Sequence, residues 1–248
     1  MERFSKAVKV WLIAGCVLLF FQIVIGGITR ITGSGLSITK WEIVTGTLPP
    51  LNEKSWQEAF DLYKATPQYE KINQGMSMKD FKFIYFWEYF HRLWARMMGF
   101  IFLFPFIFFV IKKYFDRKML GYLGIVFGLA VMAAAMGWIM VASGLLDRPW
   151  VNAYKLALHL SVALLCFGML IWTTSYAFNP LGTENQELYD KRKLLRYFLI
   201  LLGIQLFVGG VMSGMKAGLL YPTWPDMNGE VVPSLLWKTE LWLSLIHI

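Results

Sequence analysis

Two histidines lie inside apolar stretches of this sequence and a carboxylate lies at the edge of one, where ionisable side chains are costly and usually have a task. Glu88 precedes His91 by three residues, and His159 stands alone in a later stretch. A neutral imidazole nitrogen is a common ligand of heme iron, and two imidazoles can take both axial positions. Residues three apart in a helix share a face, so Glu88 would lie near the edge of a heme held by His91.

Two arginines, Arg92 and Arg96, follow His91 at a spacing of four residues. In a helix this spacing places both guanidinium groups on one face. That face could pair with heme propionates, or Arg92 could form an ion pair with Glu88 at the membrane interface. The sequence leaves both interpretations open.

The elements that must position these groups are membrane helices. The chain has 248 residues, of which 57% are hydrophobic and only 16% are charged. Five stretches are long enough to cross a hydrocarbon core, which takes about 20 apolar residues. They are Val10 to Thr29, Tyr89 to Ile111, Met119 to Ala142, Leu156 to Phe178 and Leu194 to Ser213. His91 and His159 lie near the same end of their spans, so we expect them at equal depth.

The net charge of +8 comes largely from residues that flank these spans, which argues against a nucleic-acid-binding surface. Eleven of the 24 basic residues lie before the first span, between the second and third, and before the fifth. By the positive-inside rule we expect a cytoplasmic N-terminus and an outer loop over residues 30–88. The two cysteines, Cys16 and Cys166, fall within spans and are interpreted as buried apolar residues.

An internal repeat relates the first span to the fifth at a constant offset, which carries Leu18 onto Leu201. Ten of 33 aligned positions are identical, and several of these are Gly, Trp or Pro. They are Leu18, Leu19, Gln22, Gly26, Gly27, Gly35, Leu36, Trp41, Gly46 and Pro50, which match Leu201, Leu202, Gln205, Gly209, Gly210, Gly218, Leu219, Trp224, Gly229 and Pro233. The sequence therefore predicts an all-α integral membrane protein with a four-transmembrane-helix bundle and the first helix of a second, tandemly duplicated bundle.

We divide the chain on this basis into residues 1–180, the first unit, and residues 181–242, the start of the second. Residues 243–248 read LSLIHI, which resembles a translated sequencing adapter, so we interpret His247 as an artefact. The outer loop 30–88 should be folded, because Trp56, Phe60 and Tyr63 recur at helical spacing and Ser77 with Asp80 forms an N-cap pattern. Gly33, Gly35 and Gly46 would allow tight turns there.

Several motifs together resemble the heme A synthase family, and the resemblance runs to about residue 242. Those motifs are GGITRITGSGLS at 26–37, Pro49-Pro50, WEYFHR at 87–92, LALHL at 156–160 and PTWPDMNG at 222–229. The outer loop lacks the paired cysteines of some members, so the chain is most similar to the mitochondrial and Gram-negative type.

The resemblance implies oxidation of the C8 methyl of heme O to a formyl group, with water as the oxygen source. It further implies Glu88 as the essential carboxylate, His91 and His159 as ligands of the substrate heme iron, and Arg92 and Arg96 as heme-binding residues. Heme b would be held mainly by the second unit, whose histidines the repeat offset places beyond this chain, so we expect the chain alone to bind one heme and not to turn over.

The resemblance also implies a multi-pass protein of the bacterial inner membrane that serves terminal oxidase assembly. Its expected partners are the lipid bilayer, heme O and heme O synthase, with no nucleic acid; the question of a homo-oligomer stays open. A b-type cytochrome that only transfers electrons would use the same histidine pair, and a transporter would also explain the repeat. Glu88 beside His91 favours the enzyme.

Overall fold

A computed structural model describes residues 4–39, 48–144, 149–179, 186–220, 222–223 and 226–231. In those ranges the chain is helical apart from one isolated bridge between Met227 and Glu230. The helices are α1 (Lys6–Ile31), α2 (Glu53–Lys64), α3 (Pro67–Lys71), α4 (Met78–Ile111), α5 (Arg117–Gly144), α6 (Ala153–Phe178), α7 (Gln186–Gly214) and α8 (Ala217–Leu220). The all-α prediction is confirmed, whereas Gly46 and residues 243–248 with His247 lie outside the described residues.

Five of the described helices, namely α1, α4, α5, α6 and α7, are long and apolar enough to cross a membrane. This confirms the five predicted spans and makes the chain a multi-pass membrane protein. The second span differs from its prediction in one respect, because α4 begins at Met78 and runs for 34 residues. Hydropathy detects only the part of a helix that enters lipid, so it missed the turns that precede Tyr89.

The helices of the first unit pack around α1 and α6. α1 contacts α4 and α6, and α6 contacts α5 and α7. A buried apolar cluster fills the end of the bundle where α1 and α5 begin and α4 and α6 end, which we call the basic end. Its most buried side chains are Val8, Leu12, Met119, Leu123 and Ala177.

α4 and α5 do not pack backbone to backbone to a comparable extent among the described residues. Aromatic rings bridge them instead, since the ring of Phe127 lies 4.7 Å from that of Phe106 and 5.5 Å from that of Phe102. These contacts lie in the half of the bundle nearer the basic end. The two helices are therefore held apart by bulky side chains.

The loop after α1 folds over the opposite end of the bundle, as the sequence predicted. Asn52 and Ser55 form a capping box at the start of α2, and the Ser77 side chain accepts a hydrogen bond from the Asp80 backbone N–H at the start of α4. A second set of contacts places Phe60 and Tyr63 of α2 on Phe81 and Ile84 of α4, with Trp56 at the edge. α4 thus extends beyond the membrane, because its first turns pack against α2.

Close packing of small residues joins α7 to the first unit. A Cβ added to Gly210 would lie 3.0 Å from Ala157 Cα, and one added to Gly214 would lie 2.6 Å from Ala153 Cα. Glycine and alanine four residues apart let two membrane helices approach closely. The start of the second repeat unit therefore lies against α6.

Candidate functional site

His91 and His159 lie at the same depth in the bundle. The stretch from His91 to Ile111, the last residue of α4, is nearly as long as the stretch from His159 to Phe178, the last residue of α6. At a rise of about 1.5 Å per residue, both histidines are near 30 Å from the basic end. The structure thus places the predicted pair at one level of the bundle, with His91 beside α1 and His159 beside α5.

Each imidazole sits opposite a glycine of a neighbouring helix. A Cβ on Gly26 of α1 would lie 3.2 Å from His91 Nε2, and a Cβ on Gly137 of α5 would lie 3.1 Å from His159 Cε1. A contact at that distance is too tight for an ordinary side chain, so both glycines make room for the rings. Gly26 is as far from the start of α1 as Gly137 is from the start of α5, and both therefore lie at one level with the histidines.

A hydrogen bond fixes the tautomer of His159. Its Nδ1 lies 2.9 Å from the backbone oxygen of Ala133. A carbonyl oxygen can only accept, so Nδ1 carries the proton and the Nε2 lone pair is left for a metal. Metal-binding histidines commonly donate their other ring N–H in this way.

His91 is bonded at the other ring nitrogen. The side-chain Nε2 of Gln22 lies 2.9 Å from His91 Nε2 and 3.4 Å from the His91 backbone oxygen. An amide nitrogen facing two acceptors is the donor, so His91 Nε2 accepts and the ring proton is on Nδ1. Sequence reasoning missed Gln22 as a site residue, although a polar side chain in an apolar span that recurs in the repeat was the available signal.

Glu88 is buried, with 3% of its surface exposed. Its Oε2 accepts hydrogen bonds from the Ser37 backbone N–H and hydroxyl, both at 2.7 Å, and from the Ile38 N–H at 2.9 Å. Its Oε1 forms an ion pair with Arg92. The carboxylate is thus held by the turn that follows α1 and by its own helix, and Ser37 joins the site.

The outer helices α2 and α3 lie near this carboxylate. Tyr63 of α2 is fully buried, accepts a hydrogen bond from Asn73 Nδ2 at 2.7 Å and donates one to Gln68 Oε1 at 3.1 Å. Burial raises the pKa of Tyr63, and the negative charge of Glu88 adds to that rise. Gln68 Nε2 donates in turn to the Gly33 oxygen at 2.9 Å, in the tight turn where Gly33 has a φ of +67°.

The two arginines are placed differently. Besides Glu88, the Arg92 guanidinium approaches the Ile38 backbone oxygen at 3.5 Å. The ion pair that was one interpretation of the sequence is therefore present. Arg96 lies one turn farther into the bundle and is half-buried.

Both cysteines are free thiols within the bundle. Cys166 is buried, and Cys16 shares a hydrogen bond of 3.3 Å with the Thr174 hydroxyl. The interpretation as a buried residue is therefore confirmed for Cys166, whereas Cys16 is only partly buried.

Known proteins are similar to this chain along nearly its whole length. The model of the COX15-CtaA family, described as cytochrome oxidase assembly protein, matches residues 9–247. The chain is 45% identical to a heme A synthase of Parvibaculum lavamentivorans over 95% of this chain and 68% of the relative. It is 43% identical to one of Flavobacterium johnsoniae over 94% and 69% of the two chains, and 38% identical to one of Nitrosomonas eutropha over 95% and 67%.

The chain thus spans about two thirds of the length of these relatives. No solved structure matches it. The family model covers far more than half of the chain, and the identities to these relatives are too high, over too long a stretch, for a shared motif alone. The chain therefore belongs to the COX15-CtaA family of cytochrome oxidase assembly proteins, together with its heme A synthase relatives.

Proposed function

We propose that the chain supplies the substrate-heme half of a heme A synthase, which oxidises the C8 methyl of heme O to a formyl group with water as the oxygen source. The observation that supports it best is the pair of imidazoles at one depth, both with the proton on Nδ1. His91 and His159 would bind the iron of heme O through Nε2. α4 and α5 pack less closely than the other neighbouring helices of the bundle, and the macrocycle would lie between them.

Glu88 would act on the reacting carbon through its charge. Three hydrogen-bond donors of the Ser37 turn and the Arg92 guanidinium engage both oxygens, so the group is held as a carboxylate in a poorly solvated place. A fixed negative charge there stabilises positive charge that develops when the methyl carbon is oxidised. Glu88 would accept the proton that the attacking water loses as its oxygen bonds to the oxidised carbon, and the electrons would leave toward heme b.

The arginines would divide their work. Arg92 holds Glu88 in place through their ion pair, since the two side chains are one turn apart on α4. Arg96 lies one turn farther along and is the better placed of the two to meet a heme propionate. Gly26 and Gly137 leave space for the two imidazole rings beside α1 and α5.

The wider setting follows the family. Heme b, held by the second repeat unit, would supply the electron exit, and heme O synthase would deliver the substrate. The basic residues at the ends of α4, α5 and α7 support a cytoplasmic N-terminus in the inner membrane, with the heme site near the outer face. The described residues offer one histidine pair, which we assign to heme O.

The test is expression of a gene that encodes both repeat units, with this chain as its first part, in a bacterium that makes heme O but no heme A, followed by chromatography of the extracted hemes. Formyl heme is expected from the wild type, and Glu88→Gln should reduce it at least about 100-fold while bound heme stays. Protoheme alone would indicate an electron-transfer cytochrome, and absence of heme would indicate a transporter. Either result would overturn the proposal.

A further inference from the structure

The hydrogen bond between Gln22 and His91 is made by His91 Nε2, the atom that would bind heme iron. Gln22 Nε2 lies 2.9 Å from His91 Nε2, and the Gln22 Oε1 is buried with no hydrogen-bond partner among the described residues. An imidazole nitrogen has one lone pair, so it accepts either an amide proton or a metal ion. The amide and the iron therefore exclude each other at this nitrogen.

We propose that Gln22 is a displaceable cap on His91, which satisfies the imidazole when heme is absent and gives way when the iron binds. This inference rests on the proposed function, because it takes His91 as an iron ligand. Buried polar groups need partners, and an uncapped Nε2 would carry a desolvation cost in the heme-free protein. The cap removes that cost and so lowers the affinity for heme.

The arrangement of Gln22 fits a group that moves rather than a structural anchor. Its amide nitrogen makes one good hydrogen bond and one long contact, at 3.4 Å, and its Oε1 makes none with the described residues. A side chain held by a network would have to break several bonds to leave. Gln22 gives up essentially one bond, which the iron replaces.

His159 is prepared in the opposite manner. Its hydrogen bond to the Ala133 oxygen is at Nδ1, away from the ligating nitrogen, and stays in place when a metal binds. We therefore expect iron to meet His159 first and to displace Gln22 from His91 second. His159 would thus always be ready to bind iron, whereas Gln22 would bond to His91 again when the product leaves.

The repeat offers a matched control. Gln205 is the counterpart of Gln22 on α7, at the same depth in a span, but it is exposed. Any general effect of removing an amide from a membrane helix should appear in both Gln22→Leu and Gln205→Leu. Only the first should change heme binding in this chain.

The experiment is a titration of the purified chain in detergent with ferric protoporphyrin IX, followed by absorption and electron paramagnetic resonance. Gln22→Leu should bind the porphyrin about 5- to 100-fold more tightly than the wild type, because it leaves Nε2 unsatisfied in the heme-free state. Release of heme to apomyoglobin should slow by a similar factor. Gln22→Asn, which is too short to reach His91, should behave alike, and Gln205→Leu should match the wild type.

In a His91→Ala background the effect of Gln22→Leu should vanish, which separates a cap on His91 from a general effect on folding. Unchanged or weaker binding in Gln22→Leu and Gln22→Asn, with the low-spin signal of two histidines intact, would overturn the cap and leave the proposed function standing. A wild type with no low-spin signal, or one insensitive to both His91→Ala and His159→Ala, would overturn both.

Discussion

α1 and α7 carry the same pattern, a glutamine followed four residues later by two glycines, yet each helix uses a different glycine. In α1, Gly26 faces the His91 ring, while a Cβ on Gly27 would meet none of the described residues within 4 Å. In α7, a Cβ on Gly209 would likewise meet no described residue, while Gly210 packs on the backbone of Ala157. Both copies of the repeat therefore carry two glycine surfaces. The neighbouring helix determines which of the two is in contact.

The physical reason lies in helix geometry. Successive residues project about 100° apart around a helix, so two adjacent glycines open two different faces. One face admits an imidazole and the other admits a second helix at close range. A single short pattern can thus serve ligand binding in one copy and helix packing in the other.

The largest effect is expected where a helix backbone blocks the new side chain. Gly210→Leu would force atoms into the space held by Ala157 and should lower the free energy of unfolding by about 3 kcal/mol or more. Gly27→Leu adds the same atoms at an exposed position and should change it by less than about 0.5 kcal/mol. Thermal unfolding in detergent, followed by circular dichroism, measures both. Equal shifts of the unfolding temperature in the two variants would show that the contact of Gly210 with Ala157 does not set it apart from Gly27.

The next effect concerns the histidine face. Gly26→Val places a branched side chain against His91 Nε2, where even a Cβ would lie at 3.2 Å, and should weaken binding of ferric protoporphyrin IX about 10-fold or more. Gly209→Val has the same helix propensity cost and no histidine to displace, so its titration should overlay that of the wild type. Weaker binding in both would show that flexibility of the helix, and not the space beside His91, is what glycine supplies.

The sequence predicted the membrane spans and the ionisable site residues better than the contacts between helices. The five spans could be read from hydropathy because the cost of polar groups in lipid leaves long apolar stretches. The histidines and Glu88 stood out for the same reason, as ionisable groups inside such stretches or at their edge. The depth of His91 and His159 followed from the span ends, even though α4 begins at Met78 and not at Tyr89.

Contacts between helices could not be predicted in this way. Gln22 was visible as a repeated residue, but its task depends on which helix crosses α1 at that level. Ser37 stood within a recognised motif, yet its N–H and hydroxyl serve Glu88 only because the turn after α1 folds back onto α4. Such roles arise from tertiary packing, which local periodicity does not encode.

The smallest effect is expected where the two copies touch. Arg30 and Ser213 are equivalent positions in the repeat, and the Arg30 guanidinium donates to the Ser213 backbone oxygen at 2.6 Å. The contact lies beside Lys216, whose ammonium sits 3.4 Å from the ring centroid of Trp150. Burial lowers the pKa of Lys216, and the charge of Arg30 lowers it further. The junction therefore places two positive charges close together.

Arg30→Met should remove this repulsion and move the pKa of Lys216 upward, toward the usual lysine value. A lowered pKa in the folded state means that the protein gains stability as the pH rises toward the lysine range, and the variant should show less of that gain. Loss of the bond to Ser213 should cost less than about 1 kcal/mol because the pair is exposed. A titration of methylated lysine by nuclear magnetic resonance checks the pKa, with Arg117→Met at the basic end as the control. If the Lys216 pKa stays the same in Arg30→Met, the charge of Arg30 does not act on Lys216, and the junction has no repulsion between these two charges.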